Sequence, residues 1–100
     1  MQECRTMAEV RAQIDRLDEQ IVDLLAERGG YVRQAARIKG RREQIIDPPR
    51  IEEVVAKARA RGARGGLPAE LIEPLYRLMI DRFIALETQE HDRLHDVAGD

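Results

Sequence analysis

The N-terminal third of the sequence places an apolar residue at every third or fourth position, and this pattern constrains the fold more than any other feature. The residues that follow it are Met7, Val10, Ile14, Leu17, Ile21, Leu24, Tyr31 or Val32, Ala35 and Ile38. Alternating steps of three and four are typical of a helix that packs lengthwise against other helices. A capping box of Thr6 and Glu9 can begin it. The pattern predicts a helix from about Thr6 to Lys39, roughly 50 Å long at about 1.5 Å per residue.

A helix of that length is too long for a compact monomer of 100 residues to cover. Aromatic residues make up only 3% of the chain, which limits the core that one copy can build. Self-association would complete the core, so we expect an oligomer. Gly29 and Gly30 lie within the helix, but the apolar pattern keeps its phase on both sides of them. We therefore expect the helix to continue through the two glycines.

The rest of the sequence predicts two further helices and no strand. The segment GRREQ ends the first helix, and the two prolines of IIDPPR place a loop before the second. The second helix starts near Pro49 and ends in the glycine-rich RGARGG. The third runs from Pro68 to about Leu94, before the polar tail HDVAGD. We expect one all-α domain over residues 1–100, with helices that are long, short and long and an ordered core of about residues 6–94.

Composition and charge argue against several classes of function. The 17 basic and 19 acidic residues are spread along the chain and give a net charge of −2, so we expect no nucleic-acid partner. Cys4 is the only cysteine, which leaves no disulfide framework or thiolate cluster. No apolar run has the length of a membrane span or of a signal-peptide core, and we expect a cytoplasmic protein without a membrane partner. His91 and His95 have the spacing of two metal ligands but no further ligands nearby in the sequence, so we expect solvated histidines and no metal site.

Charged residues interrupt the apolar stripe of the first helix. Arg28 occupies a position on this stripe, which we call the seam of the first helix, where the pattern predicts an apolar residue. Lys39 comes eleven residues later, and at about 100° per residue it lies within about 20° of the same face. Arg11 stands one residue off the seam and faces the boundary between helices. Two cations therefore share one packed side of the helix, with a third beside it.

One stripe of the third helix continues into a carboxylate. Its apolar members, in steps of four, four and three, are Ile72, Tyr76, Ile80 and Phe83. The next position is Glu87. An ionised carboxylate on such a stripe must be paired or take up a proton. Purely structural roles would also account for these charged residues. Arg28 could extend its side chain to the surface, and Glu87 could form a buried ion pair with Arg28 or Lys39.

Several cations and one carboxylate that point into a helix bundle indicate a pocket for a small dianion. The two carboxylates of such a ligand need about two cationic clamps. The candidate clamps are Arg11, Arg28 and Lys39. The sequence has no Ser–His–acid set and no cluster of metal ligands, and we expect neither a metal nor a cofactor.

Four segments carry a family resemblance: EVRAQIDRLDEQIVDLLAER, YVRQAARIK, DPPR and LYRLMIDRFIALE. They resemble the all-helical chorismate mutases of the AroQ class and their relatives, the isochorismate pyruvate-lyases, over nearly the whole chain. The resemblance implies an intertwined homodimeric helix bundle of three-helix chains with two equivalent sites. It also implies that Arg11 reaches into the partner's site, while Arg28 and Lys39 clamp the substrate from the same chain.

The same resemblance assigns roles to further residues. Arg50 matches the family's second-helix arginine, Asp47 a loop acid near the substrate, and Glu87 a position that is usually Gln. The reactions of this family are pericyclic, so the enzyme orients a flexible enolpyruvyl ether and stabilises charge that develops on its ether oxygen. Lys39 would be the main donor to that oxygen. Glu87, if protonated in its apolar setting, would be a second donor.

Two positions bear on the choice of substrate. Ile51 stands where dedicated mutases usually carry Glu, and Phe83 where they often carry a small polar residue. An apolar residue at position 51 is similar to the lyases and to mutases of 4-amino-4-deoxychorismate. Our first hypothesis is a chorismate mutase that forms prephenate, and the second is an isochorismate pyruvate-lyase that gives salicylate and pyruvate. A third is a non-catalytic helical regulatory module.

Overall fold

Three helices make up most of the chain. In the computed structural model, which describes residues 1–95, α1 spans Met7–Ile38, α2 spans Pro48–Arg64 and α3 spans Ala69–His95. A 3-10 turn, Arg42–Gln44, lies between α1 and α2. The described part of the chain contains no strand, so the predicted all-α order of long, short and long helices is confirmed. None of its helices is long and apolar enough to cross a membrane. The end of the predicted polar tail lies outside the described residues.

The first helix runs without interruption through Gly29 and Gly30, as the unbroken phase of the apolar pattern predicts. At its start, Thr6 Oγ1 accepts a hydrogen bond from the Glu9 N–H at 3.2 Å. The Glu9 carboxylate accepts from the Arg5 N–H at 2.6 Å, which closes the capping box one residue earlier than in the usual motif. The two side chains that the sequence identified therefore define the start of α1.

Caps of two different kinds define the ends of α2. At its start, Asp47 Oδ1 accepts a hydrogen bond from the Arg50 N–H at 3.2 Å, and prolines fill the first two helical positions, where no N–H partner is needed. At its end, the Leu67 N–H donates to the Gly62 carbonyl at 2.9 Å. Gly66 has a φ of 83°, which a residue with a Cβ rarely adopts. The helix thus ends within the glycine-rich segment, as predicted.

The described chain divides into two compact units. The first, Met1–Tyr31, contains most of α1. Many of its seam residues are exposed, among them Met7, Ile14, Leu17, Ile21 and Leu24. A contiguous exposed apolar surface of this kind typically marks a site of contact with another molecule.

The second unit begins at Val32 and contains the buried core. Within it, α2 packs against α3, and the 3-10 turn also contacts α3. The buried apolar residues are Ala36, Ile45, Val55, Ile72 and Ile80. Gly62 lies so close to α3 that a Cβ added there would be 2.9 Å from Ile72 Cγ1. This close approach explains why α2 carries a glycine in its last turn.

An exposed ion-pair network also connects α2 with α3. Arg77 donates two hydrogen bonds to the Glu52 carboxylate, at 2.9 and 2.8 Å, and it lies 3.0 Å from Glu73 on its own helix. The hydrogen bonds from Arg77 hold the pKa of the Glu52 carboxyl below its ordinary value. The Arg77–Glu52 contact is bidentate, which orients the two side chains relative to each other. Because these groups are solvated, the network contributes little to stability.

Candidate active site

The lysine that follows α1 and a carboxylate of α3 form a partly buried ion pair. Lys39 Nζ lies 2.7 Å from Glu87 Oε2. The Glu87 side chain is 9% exposed, whereas the Lys39 side chain is 29% exposed. Lys39 also follows directly on the C-terminal end of α1, where the helix dipole favours a cation. The ammonium is therefore held by a buried carboxylate while part of the lysine side chain is open to solvent.

Glu87 is buried because it continues the apolar stripe of α3, as the sequence predicts. The other members of the stripe are buried or half-buried; they are Ile72, Tyr76, Ile80 and Phe83. Of the two states that the sequence left open for Glu87, pairing and protonation, the structure shows pairing with Lys39, in which the carboxylate accepts. An ammonium has three N–H donors, so this contact uses one of them and leaves two for solvent or a ligand.

His91 is a buried member of the same stripe, and the prediction that it is solvated is wrong. The residue is 5% exposed, and its Nε2 lies 3.1 Å from the Lys39 carbonyl oxygen. Because His91 follows Glu87 by four residues, extending the count along the stripe would have identified it. His95 is exposed, as predicted, with its ring centroid 4.0 Å from that of His91. Within residues 1–95, no group of three or more His, Cys, Asp or Glu is arranged to hold a metal ion.

Asp47 and Arg50 lie together at the N-terminal end of α2. Asp47 caps the helix, and the Arg50 guanidinium forms an ion pair with Glu53 one turn further on. The hydrogen bond from Arg50 holds the pKa of the Glu53 carboxyl below its ordinary value. Ile51, the next residue of α2, is half-buried. The charge of Arg50 is thus compensated locally, on a side chain that is 59% exposed.

An ion pair attaches the segment between α1 and α2 to α3. Arg42 Nη2 lies 3.4 Å from Asp92 Oδ2, and Ile45, at the end of the 3-10 turn, is only 5% exposed. Asp92 directly follows His91 on α3. The residues just after Lys39 are therefore attached to the same turn of α3 that contacts the Lys39 carbonyl.

The other two predicted clamps belong to the first unit of the chain. Arg11 is exposed and Arg28 is half-buried. Arg28 is more buried than the seam residues Leu24 and Tyr31, which are 64% and 65% exposed. Of the predicted site residues, the structure thus brings Lys39 and Glu87 into direct contact.

Comparison with known proteins identifies the family of this all-helical chain. The sequence profile of chorismate mutase type II matches residues 10–88, and the chain belongs to this family. A curated relative named isochorismate pyruvate lyase, from Pseudomonas aeruginosa, is 32% identical over 84 residues. The match covers 84% of this chain and 83% of the relative. The family resemblance stated from the sequence is confirmed.

Proposed function

We propose that the chain is a chorismate mutase, which rearranges chorismate to prephenate in a cationic pocket. The observation that carries this proposal is the Lys39 ammonium, held at 2.7 Å by the buried Glu87 and still partly exposed. Such a group can donate to a ligand oxygen without first giving up a large solvation shell. Membership of the chorismate mutase type II family supports the same reaction.

In the proposed mechanism the chain supplies orientation and positive charge. The substrate carries two carboxylates, for which Arg11, Arg28 and Arg50 are the proposed clamps. Holding the flexible enolpyruvyl ether in its reactive conformation removes much of the entropic barrier. Lys39 Nζ donates to the ether oxygen, on which negative charge develops as the carbon–oxygen bond breaks. The half-buried Ile51 and Phe83 form apolar walls of the proposed pocket, and Asp47 lies at its edge.

Glu87 has two possible contributions, and the pH dependence of turnover distinguishes them. In the ligand-free chain it accepts a hydrogen bond from Lys39 and so orients the donor. To act as a second donor to the ether oxygen it must take up a proton when substrate binds. In that case turnover falls as pH rises, and Glu87→Gln flattens the profile. A wild-type rate that is level from about pH 5 to about pH 9 leaves Glu87 only as the partner of Lys39.

We also propose that residues 1–100 form one domain that is completed by a second copy, in an intertwined homodimer. The exposed apolar seam of α1 supports this, because a continuous three-four stripe is typical of a helix packed lengthwise against others. In such a dimer each pocket would use Lys39 and Arg28 of one chain and the partner subunit's Arg11. Sedimentation equilibrium tests the dimer directly, and a monomer at micromolar concentration contradicts it.

Mixing two inactive variants tests whether Arg11 acts across the interface. Arg11→Ala and Lys39→Met are each expected to abolish most turnover. If Arg11 acts in the partner's site, a heterodimer of the two variants carries both substitutions in one site. Its other site then has the wild-type Arg11 and Lys39. An equal mixture, unfolded and refolded together, should then recover roughly a quarter of wild-type activity. If Arg11 serves its own chain, every site is defective and no activity returns.

A second candidate function is that of an isochorismate pyruvate-lyase. The relative of that name and the apolar Ile51 support it. The two reactions need the same clamps and the same donor, and they differ in the position of the ring hydroxyl that the pocket accepts. The side chain at position 51 is the proposed determinant, since a Glu there would meet that hydroxyl and an Ile cannot.

The first experiment is to incubate the purified protein separately with chorismate and with isochorismate and to identify products by chromatography and fluorescence. Prephenate from chorismate supports the mutase, whereas salicylate and pyruvate from isochorismate support the lyase. Lys39→Met is the control, because a product formed at the same rate by this variant does not arise in the proposed site. If neither product forms, 4-amino-4-deoxychorismate is the next substrate to test.

A thermal-shift measurement separates both enzymes from the non-catalytic module. A bicyclic dicarboxylate that imitates the transition state should raise the unfolding midpoint of the wild type, because it binds the native state. It should raise the midpoint of Lys39→Met much less. No shift at a saturating concentration contradicts the catalytic proposals and favours the regulatory module.

A further inference from the structure

We propose that His91 is a positioning residue for Lys39, which it holds through the Lys39 main chain. The inference rests on the proposed role of Lys39 as the donor to the substrate. His91 is 5% exposed, and its Nε2 lies 3.1 Å from the Lys39 carbonyl oxygen. A carbonyl oxygen can only accept, so Nε2 carries the proton and donates it.

The contact matters because Lys39 stands just beyond the end of a helix. Its N–H still donates to the Ala35 carbonyl, at 2.9 Å, but the helix ends at Ile38 and no further turn accommodates the Lys39 carbonyl. The His91 ring supplies a donor for this carbonyl. Without it the backbone dihedral angles of Lys39 would be less restricted, and the φ of Lys39 sets the direction in which its side chain leaves the backbone.

Both ends of Lys39 are held by one face of α3. Glu87 contacts the ammonium at 2.7 Å and His91 contacts the carbonyl at 3.1 Å, and the two residues are four apart, which is one helical turn. A lysine side chain has four rotatable bonds, so a carboxylate alone does not define where its ammonium lies. Fixing the main chain as well restricts the ammonium to a small region.

The His91 ring is itself held in place by its surroundings. The His95 ring stacks on it with centroids 4.0 Å apart, and His95 Nδ1 lies 2.9 Å from the His91 carbonyl oxygen. On the neighbouring residue, Asp92 pairs with Arg42 at 3.4 Å and so ties the segment after Lys39 to the same turn. The stacked His95 restricts the His91 ring through a contact that does not involve Lys39, as a positioning role requires.

Three variants test the proposal through turnover. His91→Phe keeps a ring of similar size but has no donor, and His91→Gln offers an amide N–H near the place of Nε2. We expect His91→Phe to lower kcat about 10- to 100-fold with little change in KM, because a displacement of about 1 Å at the donor is enough for this. His91→Gln should recover most of the loss. Thr88→Val is the matched control, since it removes another α3 hydrogen bond to a backbone carbonyl, at 2.8 Å from Ile84, and should leave kcat unchanged.

A second readout does not depend on the reaction. A double-mutant cycle with Lys39→Met and Glu87→Gln measures how strongly Lys39 and Glu87 stabilise each other. The coupling is expressed as a ratio of equilibrium constants for unfolding. In the His91→Phe background this ratio should fall at least roughly threefold. His91→Leu replaces His91→Phe if the latter does not fold, as judged by circular dichroism.

The two readouts separate the possible failures. Full activity of Lys39→Met contradicts the proposed function, while the coupling ratio still tests His91. An unchanged kcat and an unchanged coupling in His91→Phe overturn the positioning role. The role is also overturned if His91→Gln recovers nothing and Thr88→Val loses as much activity, because the loss would then follow from general weakening of α3.

Discussion

Removing one or the other partner of the Lys39–Glu87 pair should have very different effects on stability, because the two side chains differ in burial. Lys39→Met removes the cation and leaves a carboxylate whose side chain is 9% exposed. Removing one partner of a fully buried pair costs about 3–5 kcal/mol. Here the Lys39 side chain is 29% exposed, so water can partly replace it. We therefore expect Lys39→Met to lower the free energy of unfolding by about 2–3 kcal/mol.

Glu87→Gln should be the milder change. The amide keeps an oxygen that accepts from Lys39 Nζ, and the ammonium that stays behind can turn toward solvent. The net loss is that of an ion-pair hydrogen bond replaced by one from the ammonium to a neutral amide oxygen, about 0.5–1 kcal/mol. Urea unfolding followed by circular dichroism measures both values. All proteins must be compared at one protein concentration, because the stability of an oligomer depends on it.

The order of the two losses is the test. A loss in Glu87→Gln that equals or exceeds the loss in Lys39→Met refutes the reasoning from burial. The double variant should be more stable than Lys39→Met alone, because it buries no unpaired charge. Arg82→Met is the control: it breaks a pair with Asp81 in which both side chains are mostly exposed, at 74% and 68%, and it should change stability by less than about 0.5 kcal/mol.

Three further predictions concern the frame around the site. Asp47→Ala removes the cap of α2 and should lower the free energy of unfolding by about 1 kcal/mol, whereas Asp47→Ser, which keeps an acceptor, should lose less than half of that by the same measurement. Gly62→Ala should destabilise, because its Cβ would lie 2.9 Å from a buried side chain of α3, while Gly30→Ala, with nothing within 4 Å, should stabilise by up to about 1 kcal/mol. A gain at both glycines would contradict this reading of α2. Because the folded pKa of Glu52 is lowered by Arg77, the pair stabilises above the unfolded pKa and its contribution is lost as pH falls through the folded pKa. Arg77→Gln should therefore show a smaller fall in Tm between about pH 6 and about pH 3 than the wild type, and an equal fall would contradict the assignment.

Local rules were sufficient to predict the helices. The alternation of three and four along α1 predicted one helix through two glycines, and the paired prolines and the glycine-rich segment marked both ends of α2. The position of Glu87 on the buried stripe of α3 also followed from counting residues. Each of these features depends on residues within a few turns of one another. Periodicity and capping are properties of that range, so they can be determined from the sequence.

The contacts that make the candidate site were decided by the tertiary structure. Glu87 and the carbonyl-binding His91 meet Lys39 across 48 and 52 positions of sequence. No local pattern distinguishes a paired carboxylate from a protonated one, or identifies the acceptor that a buried histidine meets, because the cost of burying each depends on which donor or acceptor stands opposite. The sequence by itself determined the helices and the buried stripe of α3. Only the packing of α3 beside the end of α1 decided that one lysine would be held at both its ammonium and its carbonyl, because that arrangement requires groups distant in sequence to lie within about 3 Å.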